Sequence, residues 1–573
     1  MGLGKSVRAV TVLRLTAATL LTATASVVGG QTAPVLPSTA DISRQRVPER
    51  RAPAAKFELR IESPEASAVP KAVDLIEFEV ADIVVKGVTT YAKSEVDFFF
   101  KPLIGTKITL VKLREVTAKL EAKYRADGYF LSRAFIPAQR VRKGVLNVQV
   151  IEGYVSDIVI DSEDEGLVHR LNKTLRPILG HRPVRLSDVE TALLRINDMP
   201  GVVATSVLKP GTKTGASELV LTAANAPISL GASLSNTGSA EIGPWTLGTS
   251  ASISHPFGRT GALDLTAAVG DQTASEIKSG SVRYTEPLGH SGATVSIGAL
   301  VAQANPGGSV RALDISSFVT SFTAKVHTPV LRSRASSLFL DIGLSVNGTK
   351  TTTGIAILPA DRLLSRDRTT VGEASVSYQQ NGFLNGSTTI SAGVFHRFGF
   401  FGANTSTTPK PSVIGSDIRF TRLTYGLQRT QYLPEQFSAM FQIQGQYTKD
   451  SLISGELISF GGPSIGRGYD PSLIAGDRGL GGLIELRYDS NFKIDKYFTR
   501  PQLYVFADLS RATTIANGTN PKNTDSLASV GGGIRFDILK RGHFDVQFSD
   551  GLRNISGANG RNPRVTLSAS VGF

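Results

Sequence analysis

The sequence predicts a transmembrane β-barrel of about 16 antiparallel strands, preceded by two small α+β modules on its periplasmic side. Three observations carry that expectation. The chain ends on a stretch in which Val565, Leu567, Ala569, Val571 and Phe573 alternate with small or polar residues, as a wall with one face on lipid and the other on a polar lumen requires. The same alternation recurs from about residue 226 onward, and the connections between the alternating stretches are by turns short and long. Closure follows from physics, because a sheet inside a bilayer cannot leave its edge N–H and C=O groups unpaired.

The first element is an export address. Lys5, Arg8 and Arg14 precede a mild apolar run from Leu15 to Val28, too short and too rich in threonine to span a bilayer, so residues 1–30 read as a signal peptide. Cleavage falls after Ala25 or near Gly30. Gly4-Lys5-Ser6 lacks the preceding glycine spacing of a phosphate loop and lies within the signal, so no nucleotide site is assigned to it. Residues 31–76 are rich in Pro and Ala and hold an arginine cluster at Arg44, Arg46, Arg50 and Arg51. They read as a linker that buries little core, with a short helix over 41–51 as its one candidate element.

Residues 77–154 have a different pattern. Phe78 to Gly87 reads as a strand, Val96, Phe99 and Phe100 are spaced as on a helix, and Leu113, Val116 and Leu120 mark a second helix over 110–124. Strands over 133–141 and 144–155 complete a β-α-α-β-β order. Residues 155–225 repeat it, with a strand at 155–160, helices at 167–179 and 186–196, and strands at 202–209 and 218–222. This order, with the pairs Gly128-Tyr129 and Gly153-Tyr154, resembles polypeptide-transport-associated (POTRA) domains.

The barrel is expected over 226–573. Candidate strands begin near 228, 245, 261, 280, 292, 317, 336, 371, 387, 418, 437, 479, 501, 527, 541 and 563, an even number, as single-chain bacterial barrels have. One face of the seventh reads Leu338, Leu340, Ile342, Leu344, Val346. Short connections such as 255–260, 287–291 and 539–542 alternate with long ones at 347–369, 398–417 and 449–478. Short turns lie on the periplasmic side, so the N-terminal modules lie there too.

The longest loop holds the most specific motif, Phe460-Gly-Gly-Pro-Ser-Ile-Gly-Arg-Gly-Tyr469, followed by Asp470-Pro and Gly476-Asp-Arg478. One strand later comes Val505-Phe-Ala-Asp-Leu-Ser510. Together they resemble the Arg-Gly-Phe/Tyr loop and the Phe-x-Asp-x-Gly wall strand of the BamA/TpsB superfamily. Gly466 here replaces the Val that usually precedes the arginine, and Ser510 replaces the usual Gly. The resemblance implies that Gly461, Gly462, Arg467, Gly468 and Tyr469 fold back into the lumen. It also implies that Phe506 and Asp508 receive them on the wall, with the Arg467 fork meeting Asp508, a bidentate geometry suited to a carboxylate. Phe573 is implied as the assembly signal read by the barrel assembly machinery. Two POTRA domains before 16 strands is the plan of the TpsB two-partner secretion transporters, the ShlB/FhaC/HecB haemolysin-activator type. That implies an unfolded exoprotein as partner and outer-membrane lipid as surroundings. No plug helix is recognised in the linker.

Other classes of function find less support. The chain has no cysteine, which removes disulfides and thiolate chemistry, and a mean hydropathy of +0.01 with no run of roughly 20 apolar residues for a spanning helix. The net charge of +14 comes from scattered residues of an exported chain, so it is assigned to the lumen or to lipid headgroups rather than to nucleic acid. His169, His181, His255, His290, His327, His396 and His543 form no spaced pair. Asp264, Asp341 and Asp508 read as lumen carboxylates, so no catalytic residue, metal or cofactor is assigned. A barrel-assembly or insertase role shares the architecture and would be favoured by a third module within 31–75. A passive porin would need neither the modules nor the Arg467 loop.

Overall fold

The computed structural model describes residues 59–61 and 77–573, except 226, 240, 257–259, 271–275, 356–361, 492–500, 519, 540 and 556–562. The signal peptide and the candidate helix at 41–51 lie outside the described residues.

The N-terminal part begins with β1 (Leu59–Ile61), β2 (Glu77–Glu79) and β3 (Asp82–Lys86). Then follow α1 (Lys93–Phe100), β4 (Lys107–Thr109), α2 (Leu110–Ala126), β5 (Arg133–Phe135) and β6 (Val145–Ile151). Both helices turn an apolar face inward: Val96 and Phe100 from α1, Leu113, Leu120 and Tyr124 from α2, packed on Ile83, Leu146, Val148 and Val150 of the sheet β3-β6-β5. The strand expected over 78–87 is two strands, because β2 pairs with β4 while β3 pairs in parallel with β6. The strand expected over 133–141 stops at Phe135, two residues before Pro137, which has no N–H for the ladder.

Glu152 ties this module together. Its carboxylate accepts from the Thr89 N–H at 2.9 Å, the Thr90 N–H at 3.0 Å and the Tyr124 hydroxyl at 2.8 Å, and from the Thr89 hydroxyl. Burial, the largest single influence, pushes its pKa up, but the donors of Thr89, Tyr124 and Thr90 together outweigh it and hold the carboxyl below its ordinary range. A lowered folded pKa stabilises at pH values above the unfolded pKa, and that stabilisation is lost as pH falls through the folded one. Glu152→Ala is therefore expected to cost about 3 kcal/mol at neutral pH, since it strands buried donors. Hydrogen exchange at Thr89 and Thr90 measures it. Unchanged exchange would show that the carboxylate is dispensable.

The second module contains β7 (Tyr154–Asp161), α3 (Glu165–Leu175), α4 (Leu186–Asn197), β8 (Val202–Pro210) and β9 (Ala216–Asn225). Asp164 caps α3, its side chain accepting from the Leu167 N–H at 3.0 Å. Leu167 and Leu171 of α3, with Val189, Leu193 and Ile196 of α4, pack on Val155, Leu219 and Leu221. The sheet order is β1-β8-β9-β7. The linker thus contributes more than expected: β1 pairs in parallel with β8, Leu59 opposite Ser206 and Ile61 opposite Leu208.

Sixteen strands among the described residues close the barrel. They are β10 (Ile228–Ser235), β11 (Thr246–Ser254), β12 (Ala262–Gly270), β13 (Ile277–Leu288), β14 (Ala293–Ala304), β15 (Ile315–Arg332), β16 (Ser336–Thr353) and β17 (Leu363–Asn381). β18 (Gly386–Phe398), β19 (Thr421–Tyr432) and β20 (Phe437–Thr448) follow. After a separate hairpin of β21 (Ile458–Phe460) and β22 (Ile474–Gly476), the wall resumes with β23 (Arg478–Asp489), β24 (Gln502–Thr514), β25 (Asn523–Ile538), β26 (Gly542–Gly551) and β27 (Arg564–Gly572). All neighbours are antiparallel, and β10 closes on β27. Leu230, Ile297, Phe322, Ile342, Ile390, Phe441, Ile484, Val505 and Phe548 all point outward and are exposed. Such a continuous apolar belt is stable only against lipid.

One loop expectation fails. The connection placed at 347–369 is mostly ladder, since β16 and β17 stay paired out to Thr352 opposite Leu363. Beyond the apolar belt the residues are polar, among them Thr349, Thr351 and Thr353. The hydrophobic alternation vanishes although threonine still favours a strand.

The second module is bonded to the short-turn side of the barrel. Arg332, at the end of β15, grips Asp198 with two nitrogens at 2.8 and 2.7 Å, and the Thr191 hydroxyl donates to the Arg332 carbonyl at 2.8 Å.

Candidate functional site

The loop 449–477 does not extend into the medium. Its roots are fixed at the rim. The Asp477 carboxylate accepts from the Leu452 and Ile515 N–H groups, both at 2.6 Å, and the Gln446 amide donates to the carbonyls of Glu456 and Asp477 at 3.0 and 3.1 Å. From there β21 and β22 carry the tip inward, where Phe460, Ile465 and Ile474 are buried against Leu483, Tyr504, Phe506 and Leu527 of the wall. The turn depends on glycine. Gly461, Gly462 and Gly466 have φ of +112°, +84° and +89°, and a Cβ on Gly466 would lie 2.8 Å from the Gly461 nitrogen. Gly466 thus occupies a left-handed position that a β-branched residue would strain.

The tip meets four wall strands. The Arg467 N–H donates to Asp508 Oδ2 at 3.1 Å, the Ser529 hydroxyl donates to Asp508 Oδ1 at 2.6 Å, and the Ser549 hydroxyl donates to the Arg467 carbonyl at 3.0 Å. The Arg467 guanidinium lies 4.6 Å from the centre of the Phe506 ring and donates to Glu485 Oε2 at 2.6 Å. The Tyr469 hydroxyl shares its one proton between the carbonyls of Ala528 and Arg553, at 3.0 and 2.9 Å, and accepts from the Arg553 N–H at 2.8 Å. Its ring fills the space left by Gly551, whose added Cβ would lie 2.7 Å from it. Gly468 packs as closely on the β26 backbone, 2.6 Å from the Asp550 carbonyl carbon by the same measure.

The structure therefore brings Arg467, Tyr469, Phe506 and Asp508 together but corrects the pairing. Asp508 holds the main chain of Arg467, and the fork reaches Glu485. The register explains this. Glu485 stands opposite Phe506, and Leu483 opposite Asp508, so a guanidinium lying over the Phe506 ring points along the wall to the longer carboxylate. Glu485 is fully buried and also accepts from Arg487 at 2.7 Å and from Arg535 at 2.7 and 3.1 Å. Arg535 in turn bonds Asp545 at 3.0 Å, which accepts from the Tyr504 hydroxyl at 2.6 Å. Sequence reasoning missed Glu485, Arg535 and Asp545. Their signal was there: Glu485 and Arg487 are charges on the polar face of a strand whose other face is Ile484 and Leu486.

Phe573 lies just beyond β27 and exchanges two main-chain hydrogen bonds with Leu230, at 2.9 and 3.1 Å, its ring outward and exposed. Its main chain completes closure. Phe573→Lys is expected to lower the amount of assembled, heat-modifiable barrel, through the loss of a lipid-facing aromatic at the interface. Wild-type amounts would remove that role.

A closed outer-membrane barrel with periplasmic modules and an inward-folded arginine loop defines a protein-transporting barrel. Residues 215–536 match the haemolysin secretion/activation protein family ShlB/FhaC/HecB, and residues 78–153 match the ShlB-type POTRA domain. The chain belongs to that family. It is 23% identical over 456 residues to the heme/hemopexin transporter protein HuxB of Haemophilus influenzae, covering 77% of this chain and 78% of that one. To the hemolysin transporter protein HpmB of Proteus mirabilis it is 23% identical over 438 residues, 74% of each chain. Among solved structures, CdiB from Escherichia coli superposes with a TM-score of 0.68 at 20% identity, covering 92% of this chain and 94% of that one. The protein is an outer-membrane two-partner secretion transporter with its POTRA domains in the periplasm, and the family assignment favours secretion over barrel assembly.

Proposed function

We propose that the chain takes an unfolded exoprotein of haemolysin, adhesin or toxin type at POTRA modules spanning 77–154 and 155–225, and passes it outward through residues 226–573. Arg467 and its glycine-rich neighbours act as the moving part, and Phe506, Asp508 and Glu485 as its seat. The observation that carries this reading is the seated tip itself. It is held inside the barrel by charge-assisted bonds from Asp508 and Glu485 of neighbouring strands and by Arg564 on Asp470. On this reading the loop is displaced for transport.

Capture rests on the sheets. A sheet edge presents unpaired main-chain groups to which an extended client adds as a strand, and the edge of β8 already accepts β1. Transport proceeds without catalysis, nucleotide or metal, driven by folding of the client outside, where burial opposes return. The barrel assembly machinery inserts the protein during biogenesis.

The test is co-expression with a candidate exoprotein of haemolysin, adhesin or toxin type. The client is expected in the medium when this chain is present and in the periplasm when it is absent. Equal release in both cases would overturn the reading.

A further inference from the structure

The barrel closes on its shortest ladder. The β10–β27 register runs from Gly231 opposite Gly572 to Ser235 opposite Ser568, prolonged by the main-chain bonds of Leu230 with Phe573 and of the Asn236 N–H with the Leu567 carbonyl, whereas β15–β16 runs from Ile315 opposite Thr353 to Arg332 opposite Ser337. Its paired residues are mostly small, Gly231, Ala232, Ser233, Ala569 and Ser570 among them, so cross-strand side-chain packing adds little to the hydrogen bonds. The Asn236 side chain reinforces that end, donating to the Val565 carbonyl at 3.0 Å and accepting from the Leu567 N–H at 2.6 Å.

The loop tip reaches this seam. Asp470, directly after Tyr469, pairs with Arg564 at the start of β27, and a second nitrogen of Arg564 reaches the Gly238 carbonyl, in the segment leaving β10, at 3.4 Å. One guanidinium thus touches the loop and both sides of the closure. The pair is partly exposed to the lumen, with side-chain exposures of 20% for Arg564 and 32% for Asp470. It is therefore strong enough to bias the seam and weak enough to break.

We propose that Asp470 and Arg564 form a clasp through which the seated loop holds the β10–β27 seam shut, so that withdrawal of the loop also frees the seam. This rests on the reading that the loop withdraws during transport. Asp470 and Arg564 are positioning residues, acting on the seam and not on the client.

The test is amide hydrogen exchange on the full-length protein in detergent micelles. In D470N, residues 228–236 and 564–573 are expected to exchange about two- to fivefold faster, the effect of one partly exposed ion pair, with β15 and β16 unchanged. Asp470→Glu should restore slow exchange, and so should D470R combined with R564D. The chain has no cysteine, so S233C with S570C, a register pair, introduces one disulfide across the seam. When oxidised, it should return D470N to slow exchange. Wild-type exchange at the seam in D470N, or a rise spread evenly over all strands, would overturn the clasp. Failure of the transport reading would show itself elsewhere, as undiminished client release by R467A, and leaves the exchange comparison unaffected.

Discussion

Arg467→Ala is expected to lower client release per assembled barrel about tenfold or more, while the barrel itself still assembles. Glu485 keeps Arg487 and Arg535 when Arg467 is removed, so the wall does not acquire an unpaired buried carboxylate, the change that would cost several kcal/mol. What is lost is the seat. Without its guanidinium on Glu485 and over Phe506, the tip samples many positions across the lumen, obstructing an extended client and leaking small ions. Higher conductance in planar bilayers, together with lower release, is the expected pair of results. Glu485→Gln added to Arg467→Ala should be little worse than the worse single change, because the two share one contact. Asp508→Ala should also impair release, since it frees the Arg467 N–H and the Ser529 hydroxyl together. The exchange Arg467→Asp with Asp508→Arg should recover nothing, because the guanidinium does not face Asp508. Recovery by that swap, or wild-type release by Arg467→Ala, would refute the seat.

The barrel was legible in the sequence because its physics is local. Each wall strand must show lipid an apolar residue at every second position, and Leu247, Leu340, Ile342 and Val505 do so. Where a strand rises past the membrane that requirement ends, which is why the ladder from Asn347 opposite Thr369 to Thr352 opposite Leu363 reads in the sequence as a loop over 347–369. The loop motif was legible as residue types, but its partner was not. Whether Arg467 reaches Asp508 or Glu485 depends on register and on where the Phe506 ring lies, and neither leaves a periodic trace. β1 was hidden for a related reason. Leu59-Arg60-Ile61 is too short to show a period amid Pro and Ala, and it is a strand only because β8 offers an edge.

Deleting residues 77–154 is expected to abolish client release while leaving a folded, ion-conducting barrel. The cores support such a separation. The first module buries Phe100, Leu113, Leu120 and Val148 among themselves, and the second buries Leu167, Leu171, Leu193 and Leu219 in a distinct cluster. It is the second that the barrel holds, through Arg332 on Asp198 and Thr191. Removal of the first module therefore leaves the barrel contact and the loop seat in place. Several contacts are sacrificed: Arg185 of the second module donates to the Tyr129 hydroxyl at 2.9 and 3.2 Å, the Leu186 and Val184 N–H groups donate to the carbonyls of Gly128 and Gly153 at 2.9 and 3.0 Å, and Phe130 and Leu131 pack on the second core, so loosening of the second module is expected. Glu152→Ala provides the control, since it weakens the same module without removing the chain that links it. If capture belongs to the first module, Glu152→Ala should lower release in proportion to the loosening seen by hydrogen exchange at Thr89 and Thr90. The deletion should bring release to the level found with no transporter, with single-channel conductance retained. Full release by the deleted chain would place capture on the second module. A chain that neither releases client nor conducts would mean that the modules and the barrel do not fold as separable parts.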